Sequence, residues 1–161
     1  AGMPSGGSAR TLAIWFKQSA SATGVPFEYG SGAAGRWQCY TLGGTVIWID
    51  LSGGKAFSIP WIHDTDWHHL AYTMTNNCPY GDIKAYIDGV EQTKMISGDG
   101  LAVVNTTLTG IGAVGATPSG TFEWCGFLDD WKAYGVALSS NEVYELYSET
   151  LHPTNSVEVR P

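Results

Sequence analysis

Short runs of alternating apolar and polar residues, separated by glycine-rich turns, recur along most of the chain. Between Arg10 and Lys17, every second residue is large and apolar, namely Leu12, Ile14 and Phe16. A period of two is that of a β-strand with one buried face, because successive side chains point to opposite sides. Three dipeptides between such runs are hairpin signals: Gly43-Gly44, Gly53-Gly54 and Asp88-Gly89. The pattern predicts a chain built from antiparallel hairpins.

The alternation predicts strands over residues 10–17, 37–42, 45–51, 57–59, 67–75, 83–87 and 90–93, with one or two more within 121–134. Residues 18–25 are predicted to form a polar loop. One helix is predicted near the end, where Ser139 or Ser140 can cap it and Glu142 completes a capping box. An apolar stripe follows at helical spacing: Val143, Leu146 and Tyr147. The predicted fold is all-β, an antiparallel β-sandwich (jelly roll) with one short C-terminal helix.

Charge and hydropathy argue against two classes of partner. The 161 residues carry a formal net charge of −7 at pH 7, and only 8 of them are Lys or Arg. A phosphate backbone ordinarily requires a basic face, so we expect no nucleic-acid partner. No apolar run approaches the roughly 18–20 residues that span a bilayer, so we expect no membrane insertion. The length fits one domain, which we expect to extend over residues 1–161.

The cysteines and the first residues say less about the setting of the protein. Cys39, Cys78 and Cys125 are widely spaced and lack the close pairs typical of zinc sites. One disulfide with one free thiol, or no disulfide, both remain open. The chain begins with neither the basic start nor the apolar stretch of a signal peptide. This favours an artificial terminus or a cut inside a larger protein, whose neighbouring domains would be partners.

Three segments, in this order, carry a family resemblance. Arg10-Thr11 opens an apolar run that contains a tryptophan, and residues 66–71 (DWHHLA) lead to a hairpin at 85–90 (AYIDGV). Residues 126–130 (GFLDD) then precede the predicted helix. Together they resemble the laminin-G-like and pentraxin-like branch of the concanavalin A-like lectin/glucanase superfamily.

The resemblance covers roughly residues 8–148 and implies two packed antiparallel sheets, one of them concave. It leaves residues 152–161 as a tail or as an edge strand formed by Val157–Val159. Many relatives carry calcium at a loop edge, so the resemblance also implies Ca²⁺, either structural or bridging to a ligand. Loop oxygen donors are available at Asp64, Asp66, Asn76, Asn77, Asp82 and Asp99. The sequence contains no twelve-residue ligand loop, so the ligands of such an ion stay unknown.

The superfamily includes lectins, adhesion modules and glycan-cleaving enzymes, so the residues must decide function. Strand residues i and i+2 share a face at about 6.5–7 Å, a spacing that suits the paired carboxylates of glycosidases. The chain has no Glu-x-Asp-x-Glu strand, and its nearest pair, Asp64 and Asp66, falls in a predicted turn. His68 and His69 are adjacent on a predicted strand, face opposite sides and are expected to be framework residues. We expect no catalytic residues.

Aromatic side chains at outward strand positions are the candidate binding residues. In the strand at 45–51, the inner face is apolar, which leaves Trp48 and Asp50 outward. In the preceding strand, Trp37 or Tyr40 points outward, but not both, and Trp61 follows a strand end. Sugar binding needs a flat apolar surface beside an acid or amide, and these residues supply both. The alternative is a structural role, in which the aromatics fill the core or contact a neighbouring domain.

We therefore expect a non-catalytic, lectin-like carbohydrate-binding module of a larger extracellular or cell-surface protein, with a glycan or polysaccharide as its partner. The expected contacts are Trp48 and Asp50, then Trp37, Tyr40 and Trp61. One alternative is a calcium-dependent protein-interaction or adhesion domain of laminin-G type. A glycan-cleaving enzyme with unrecognised residues is the third.

Overall fold

The computed structural model describes residues 3–30, 35–51, 55–107, 113–117 and 122–149. Within these ranges the strands, in chain order, are β1 (Arg10–Gln18), β2 (Gly24–Tyr29), β3 (Trp37–Leu42), β4 (Val46–Asp50), β5 (Ala56–Pro60), β6 (His68–Met74), β7 (Lys84–Ile87), β8 (Val90–Glu91), β9 (Met95–Ser97), β10 (Ala113–Val114) and β11 (Gly126–Tyr134). A turn of 3₁₀ helix spans Tyr80–Asp82, and helix α1 spans Ser140–Glu149. In the described part of the chain, no helix is long and apolar enough to cross a membrane.

The strands form two antiparallel sheets. Sheet A has five strands in the order β11-β1-β6-β7-β8, and sheet B has six in the order β10-β2-β3-β4-β5-β9. The neighbours pair antiparallel throughout. The predicted antiparallel jelly-roll sandwich with one short C-terminal helix is confirmed.

Side chains from the inner faces of both sheets build one core. Leu12 and Ile14 of β1 and Ile47 and Ile49 of β4 are each at most 1% exposed. Near its centre lies Tyr72, whose ring centroid is 6.2–6.5 Å from three rings of sheet B, those of Phe27, Trp37 and Phe57. Contacts at these distances are favourable beyond the burial of apolar area. The alternation of β1 and β4 thus reads directly into the core.

Arg10 joins the two sheets and the N-terminal segment. Its side chain is fully buried, and its Nη1 donates to the Tyr29 hydroxyl of sheet B at 2.7 Å. The Nη2 group donates to the carbonyls of Gly6 at 2.7 Å and Ser5 at 3.2 Å. Only a planar guanidinium reaches acceptors in several directions from one buried position. The adjacent Thr11 faces the other way, where its hydroxyl donates to the carbonyl of Val136 at 2.9 Å.

Helix α1 packs on the outer face of sheet A. Ser139 caps it, since the Ser139 Oγ accepts from the backbone N of Glu142, whose carboxylate accepts from the backbone N of Ser139. Val143 is fully buried against Ala13, Ala71 and Tyr86 of the sheet. The predicted capping box and apolar stripe are therefore confirmed. This helix closes part of the outer face of sheet A.

Some local predictions differ from the structure. Part of the predicted loop at 18–25 belongs to β2, where the turn-forming Gly24 and Pro26 and a bulge between Gly24 and Phe27 hide the alternation that follows. In β9 all three residues are exposed, so that strand shows no alternation. All three cysteines are free thiols. The predicted turn at Gly53-Gly54 and the edge strand at Val157–Val159 lie outside the described residues.

Replacing Arg10 with Met tests the role of its guanidinium. Several buried acceptors would lose a charged donor, so we expect the free energy of unfolding to fall by about 2–4 kcal/mol. Urea denaturation followed by tryptophan fluorescence measures this change. The control is Lys17→Met at the half-buried end of the same strand, where we expect a change within about 0.5 kcal/mol. Equal effects of the two substitutions would contradict the role of Arg10.

Candidate functional site

The outer face of sheet B, here called the B face, carries a row of polar side chains across three strands. Glu28 of β2 pairs with Gln38 of β3, and Gln38 pairs with Asp50 of β4. The inward neighbours of these residues belong to the core, so all three point to the outer side. We call Glu28, Gln38 and Asp50 the polar row.

An aromatic pair lies beside the polar row. Tyr40 of β3 is paired across the strands with Trp48 of β4, with ring centroids 6.4 Å apart and an angle of 38° between the planes. Both rings are half-buried, so each keeps an accessible surface. They stand two residues along the strands from Gln38 and Asp50, a spacing of about 6.5–7 Å.

Hydrogen bonds and ion pairs hold the polar row in place. The Gln38 amide donates to the Glu28 carboxylate. Arg36, which precedes β3, forms an ion pair with Asp50, and the two side chains are 33% and 27% exposed. Burial raises the pKa of Glu28, an effect that the Arg36 charge and the Gln38 hydrogen bond only partly offset. The row therefore holds two carboxylates, an amide and one guanidinium in fixed positions, with Glu28 and Gln38 each only 8% exposed.

A small residue borders the aromatic pair. Ser58 of β5 is the cross-strand neighbour of Trp48 on the side away from Tyr40. Its side chain is 1% exposed, and its Oγ has no hydrogen-bond partner among the residues that the structure describes. An unpaired buried hydroxyl costs about 1–3 kcal/mol. A polar group without a partner thus lies directly beside the Trp48 ring.

The structure brings three of the five expected contact residues together and separates the other two. Trp48, Asp50 and Tyr40 share the B face. Trp37 is fully buried in the core, so its expected ligand contact is wrong and the outward residue of β3 is Tyr40. The expected contact of Trp61 is also wrong. Its side chain is only 6% exposed, with the ring packed against those of Phe16 at 5.0 Å and His68 at 4.8 Å.

Three residues of the B face were missed by sequence reasoning: Glu28, Gln38 and Arg36. Glu28 was missed because β2 was assigned in part to a loop. Gln38 shares the phase of Tyr40, so a firm choice between Tyr40 and Trp37 would have identified it. Arg36 lies just before the predicted strand, and the sequence offers no signal that it pairs with Asp50.

The two adjacent histidines are framework residues, as expected. His68 lies between two carboxylates, with Nδ1 2.7 Å from Asp88 and Nε2 2.9 Å from Asp64. Burial lowers the pKa of His68, but the hydrogen bonds to Asp88 and Asp64 outweigh it and the pKa is raised. Burial lowers the pKa of His69 to about 4, and its ring packs against Trp15 at 5.3 Å. Both imidazoles are thus engaged in hydrogen bonds or ring packing within the fold.

Three of the six candidate loop oxygen donors for calcium accept local hydrogen bonds. Asp64 accepts from the backbone N of Asp66, Asn76 accepts from that of Ala9, and Asp99 accepts from that of Leu101. Among the described residues, no group of three or more His, Cys, Asp or Glu is arranged to hold a metal ion. Calcium binding therefore stays a prediction from the family resemblance.

Comparisons with known proteins agree with this architecture. The Laminin_G_3 family model, described as the concanavalin A-like lectin/glucanases superfamily, matches residues 3–144. The fold and the match together define the class, and the chain belongs to the concanavalin A-like lectin/glucanase superfamily. A search of curated proteins found no match.

Several solved structures share the fold at low sequence identity. One is the CBM40 domain of the Ruminococcus gnavus IT-sialidase, with a TM-score of 0.69, 12% identity, and coverage of 88% of this chain and 84% of that one. Domain 4 of AbnA, an extracellular GH43 arabinanase from Geobacillus stearothermophilus, has a TM-score of 0.64, 22% identity, and coverage of 89% and 68%. The SAP-like pentraxin of Limulus polyphemus has a TM-score of 0.56, 17% identity, and coverage of 90% and 71%.

The His68 contacts predict a pH-dependent stability. An imidazole with an acceptor at each nitrogen needs both N–H groups, which only the protonated form has. Because the folded pKa of His68 is raised, this stabilisation is complete below the unfolded pKa of about 6.5 and is lost as the pH rises through the folded value. Asp88→Asn keeps an acceptor oxygen for the backbone N of His69 but removes the carboxylate.

We expect Asp88→Asn to be less stable than the unmodified protein by up to about 1 kcal/mol at pH 5.5, with a gap that narrows by pH 8.5. Thermal denaturation across this range measures the gap. Asp82→Asn, at an exposed position, is the control for the loss of one negative charge. Its difference in stability from the unmodified protein should not decrease from pH 5.5 to pH 8.5 in this way. A gap that widens with pH for Asp88→Asn would contradict the assignment.

Proposed function

We propose that this protein is a non-catalytic, lectin-like carbohydrate-binding module that holds a glycan on the B face. The observation that carries the proposal is the aromatic pair of Tyr40 and Trp48 standing beside the polar row of Glu28, Gln38 and Asp50. A sugar ring presents an apolar C–H face and a rim of hydroxyls. The aromatic pair is complementary to the C–H face, and the polar row is complementary to the hydroxyls.

The two rows suit such a ligand in spacing and chemistry. The apolar face of a sugar stacks on flat aromatic rings, and its hydroxyls donate to carboxylates or exchange hydrogen bonds with an amide. The aromatic pair and the polar row are about 6.5–7 Å apart along the strands, which matches the width of one sugar ring with its hydroxyls. The polar side chains are held by each other and by Arg36, so little conformational freedom is lost on binding.

Similar folds that bind glycans support the proposal. The R. gnavus CBM40 domain has been solved with α2,3-sialyllactose, and domain 4 of AbnA with arabinotriose. At 12% and 22% identity these likenesses carry the fold, not the contacts. The contacts proposed here come from the B face of this chain alone.

The binding role is proposed without catalysis because the carboxylates of the polar row are already engaged. Glu28 and Asp50 lie on either side of Gln38. Glu28 accepts from Gln38, and Asp50 pairs with Arg36. These contacts fit residues that hold hydroxyl groups in place.

The proposal includes a setting for the domain. We propose that residues 1–161 form one domain, with a core at about 8–148, and that it belongs to a larger secreted or cell-surface protein. In that setting it would bring a neighbouring domain to a polysaccharide. The net charge of −7 also suits an extracellular partner other than nucleic acid.

Trp48→Ala tests the site directly. Removing the ring deletes the stacking surface at a position outside the core, so we expect glycan binding to weaken by about 1–3 kcal/mol with the fold intact. A glycan array finds the ligand, and isothermal titration measures the loss. Phe127→Ala is the control, since Phe127 is 60% exposed and lies on sheet A. Unchanged affinity in Trp48→Ala, with a normal thermal melt, would remove the B face as the site.

Two added measurements separate the other functions. Binding that EGTA abolishes and that Trp48→Ala leaves intact would favour a calcium-dependent adhesion domain of laminin-G type, with contacts on the loops. New reducing ends after incubation with a bound polysaccharide, lost in Glu28→Gln, would favour a glycan-cleaving enzyme instead. We expect neither result.

A further inference from the structure

The charges of the B face carry an inference about which glycans it takes. Resting on the function proposed above, we propose that the site binds uncharged glycans and excludes those that bring a carboxylate, sulfate or phosphate group against the polar row. The juxtaposition that carries it is Glu28 and Asp50 on either side of Gln38, with Arg36 as their cation.

The polar row and Arg36 together carry more negative than positive charge. Glu28 and Asp50 are two carboxylates on either side of Gln38 in one row, and the Arg36 guanidinium already pairs with Asp50. A ligand anion placed over Gln38 would lie within a few ångströms of both carboxylates. Like charges brought together at an interface weaken binding. The protein as a whole, at −7, also repels anions at longer range.

Burial of Glu28 strengthens the repulsion of an anion. Glu28 is only 8% exposed, so solvent screens its charge poorly. Its pKa is already raised by burial, which means that this part of the face resists negative charge even without a ligand. A ligand seated on the aromatic pair would displace more water and strengthen the repulsion of a second anion.

The hydrogen-bonding groups of the polar row also favour hydroxyls over anions. Ionised carboxylates only accept hydrogen bonds, and so do the anionic groups of acidic sugars. A sugar hydroxyl can donate to Glu28 or Asp50 and also accept from an amide such as that of Gln38. Replacing such a hydroxyl with an anion would leave acceptors facing acceptors. Sites built on buried polar groups discriminate strongly against ligands that leave those groups unpaired.

The fold alone does not decide between acidic and neutral glycans. The R. gnavus CBM40 domain has been solved with α2,3-sialyllactose, a sugar with a carboxylate, and domain 4 of AbnA with arabinotriose, a neutral sugar. The charges of the B face predict a neutral glycan for this chain.

The test uses matched pairs of glycans that differ only in charged groups: lactose against 3′-sialyllactose, and laminarin and dextran against their sulfated forms. Affinities are measured at low salt by titration and by affinity electrophoresis. We expect the neutral member of any bound pair to bind at least about tenfold more tightly. The preference should shrink when salt is raised to about 0.5 M, because salt screens charges at the surface.

Two variants remove the carboxylates with little change in shape, Asp50→Asn and Glu28→Gln. Each should narrow the preference for the neutral member by roughly threefold or more, because each removes one of the two negative charges of the polar row. The control is Glu91→Gln on sheet A, which changes the net charge by the same amount away from the B face and should leave the preference unchanged.

The outcomes separate the two proposals. Equal or tighter binding of the acidic member, still lost in Trp48→Ala, overturns the inference and keeps the binding site. A preference that narrows equally in Glu91→Gln also overturns it, because net charge then decides. Absence of any Trp48-dependent glycan binding overturns the proposed function, and this inference falls with it.

Discussion

The register between β3 and β4 is the constraint on which the rest of the molecule depends. Cys39 is paired with Ile49 inside the sandwich, and Tyr40 with Trp48 outside it. A slip of one residue would exchange the two sets, since strand side chains alternate between faces. It would bury Trp48 and expose Ile49. The tight turn at Gly43-Gly44, with φ of 57° and 70°, fixes this register from one end.

The same alternation supports the opposite sheet in a different way. In β1, Arg10 extends inward to the N-terminal carbonyls and Tyr29, while Thr11 holds the turn before α1. One dipeptide thus anchors both the closing of the sandwich and the docking of the helix. This gives a physical reason for the arginine-threonine pair that first pointed to the family.

Much of the fold could be predicted from the sequence because the strands that build the core keep one polar and one apolar face. The predictions failed where that contrast is lost. In β2 a bulge and the turn-forming residues Gly24 and Pro26 interrupt it, and in the three residues of β9 every side chain is exposed. The site followed the same logic. Trp48 and Asp50 could be assigned from β4 alone, but Trp37 and Trp61 needed the packing of both sheets to show that they are internal. The role of Arg36 could be assigned only once β4 was known to lie beside β3, because its ion-pair partner Asp50 is on β4.

Helix α1 makes the two outer surfaces of the sandwich unequal, because it packs on sheet A and not on the B face. With the glycan site proposed above on the B face, the domain would be monovalent. It would attach to a polymer without cross-linking two chains, so agglutination would require tandem copies or self-association. Linking two copies would convert a weak single contact into strong attachment through effective concentration. The number of copies in a parent protein would then set how firmly it is retained on a polysaccharide.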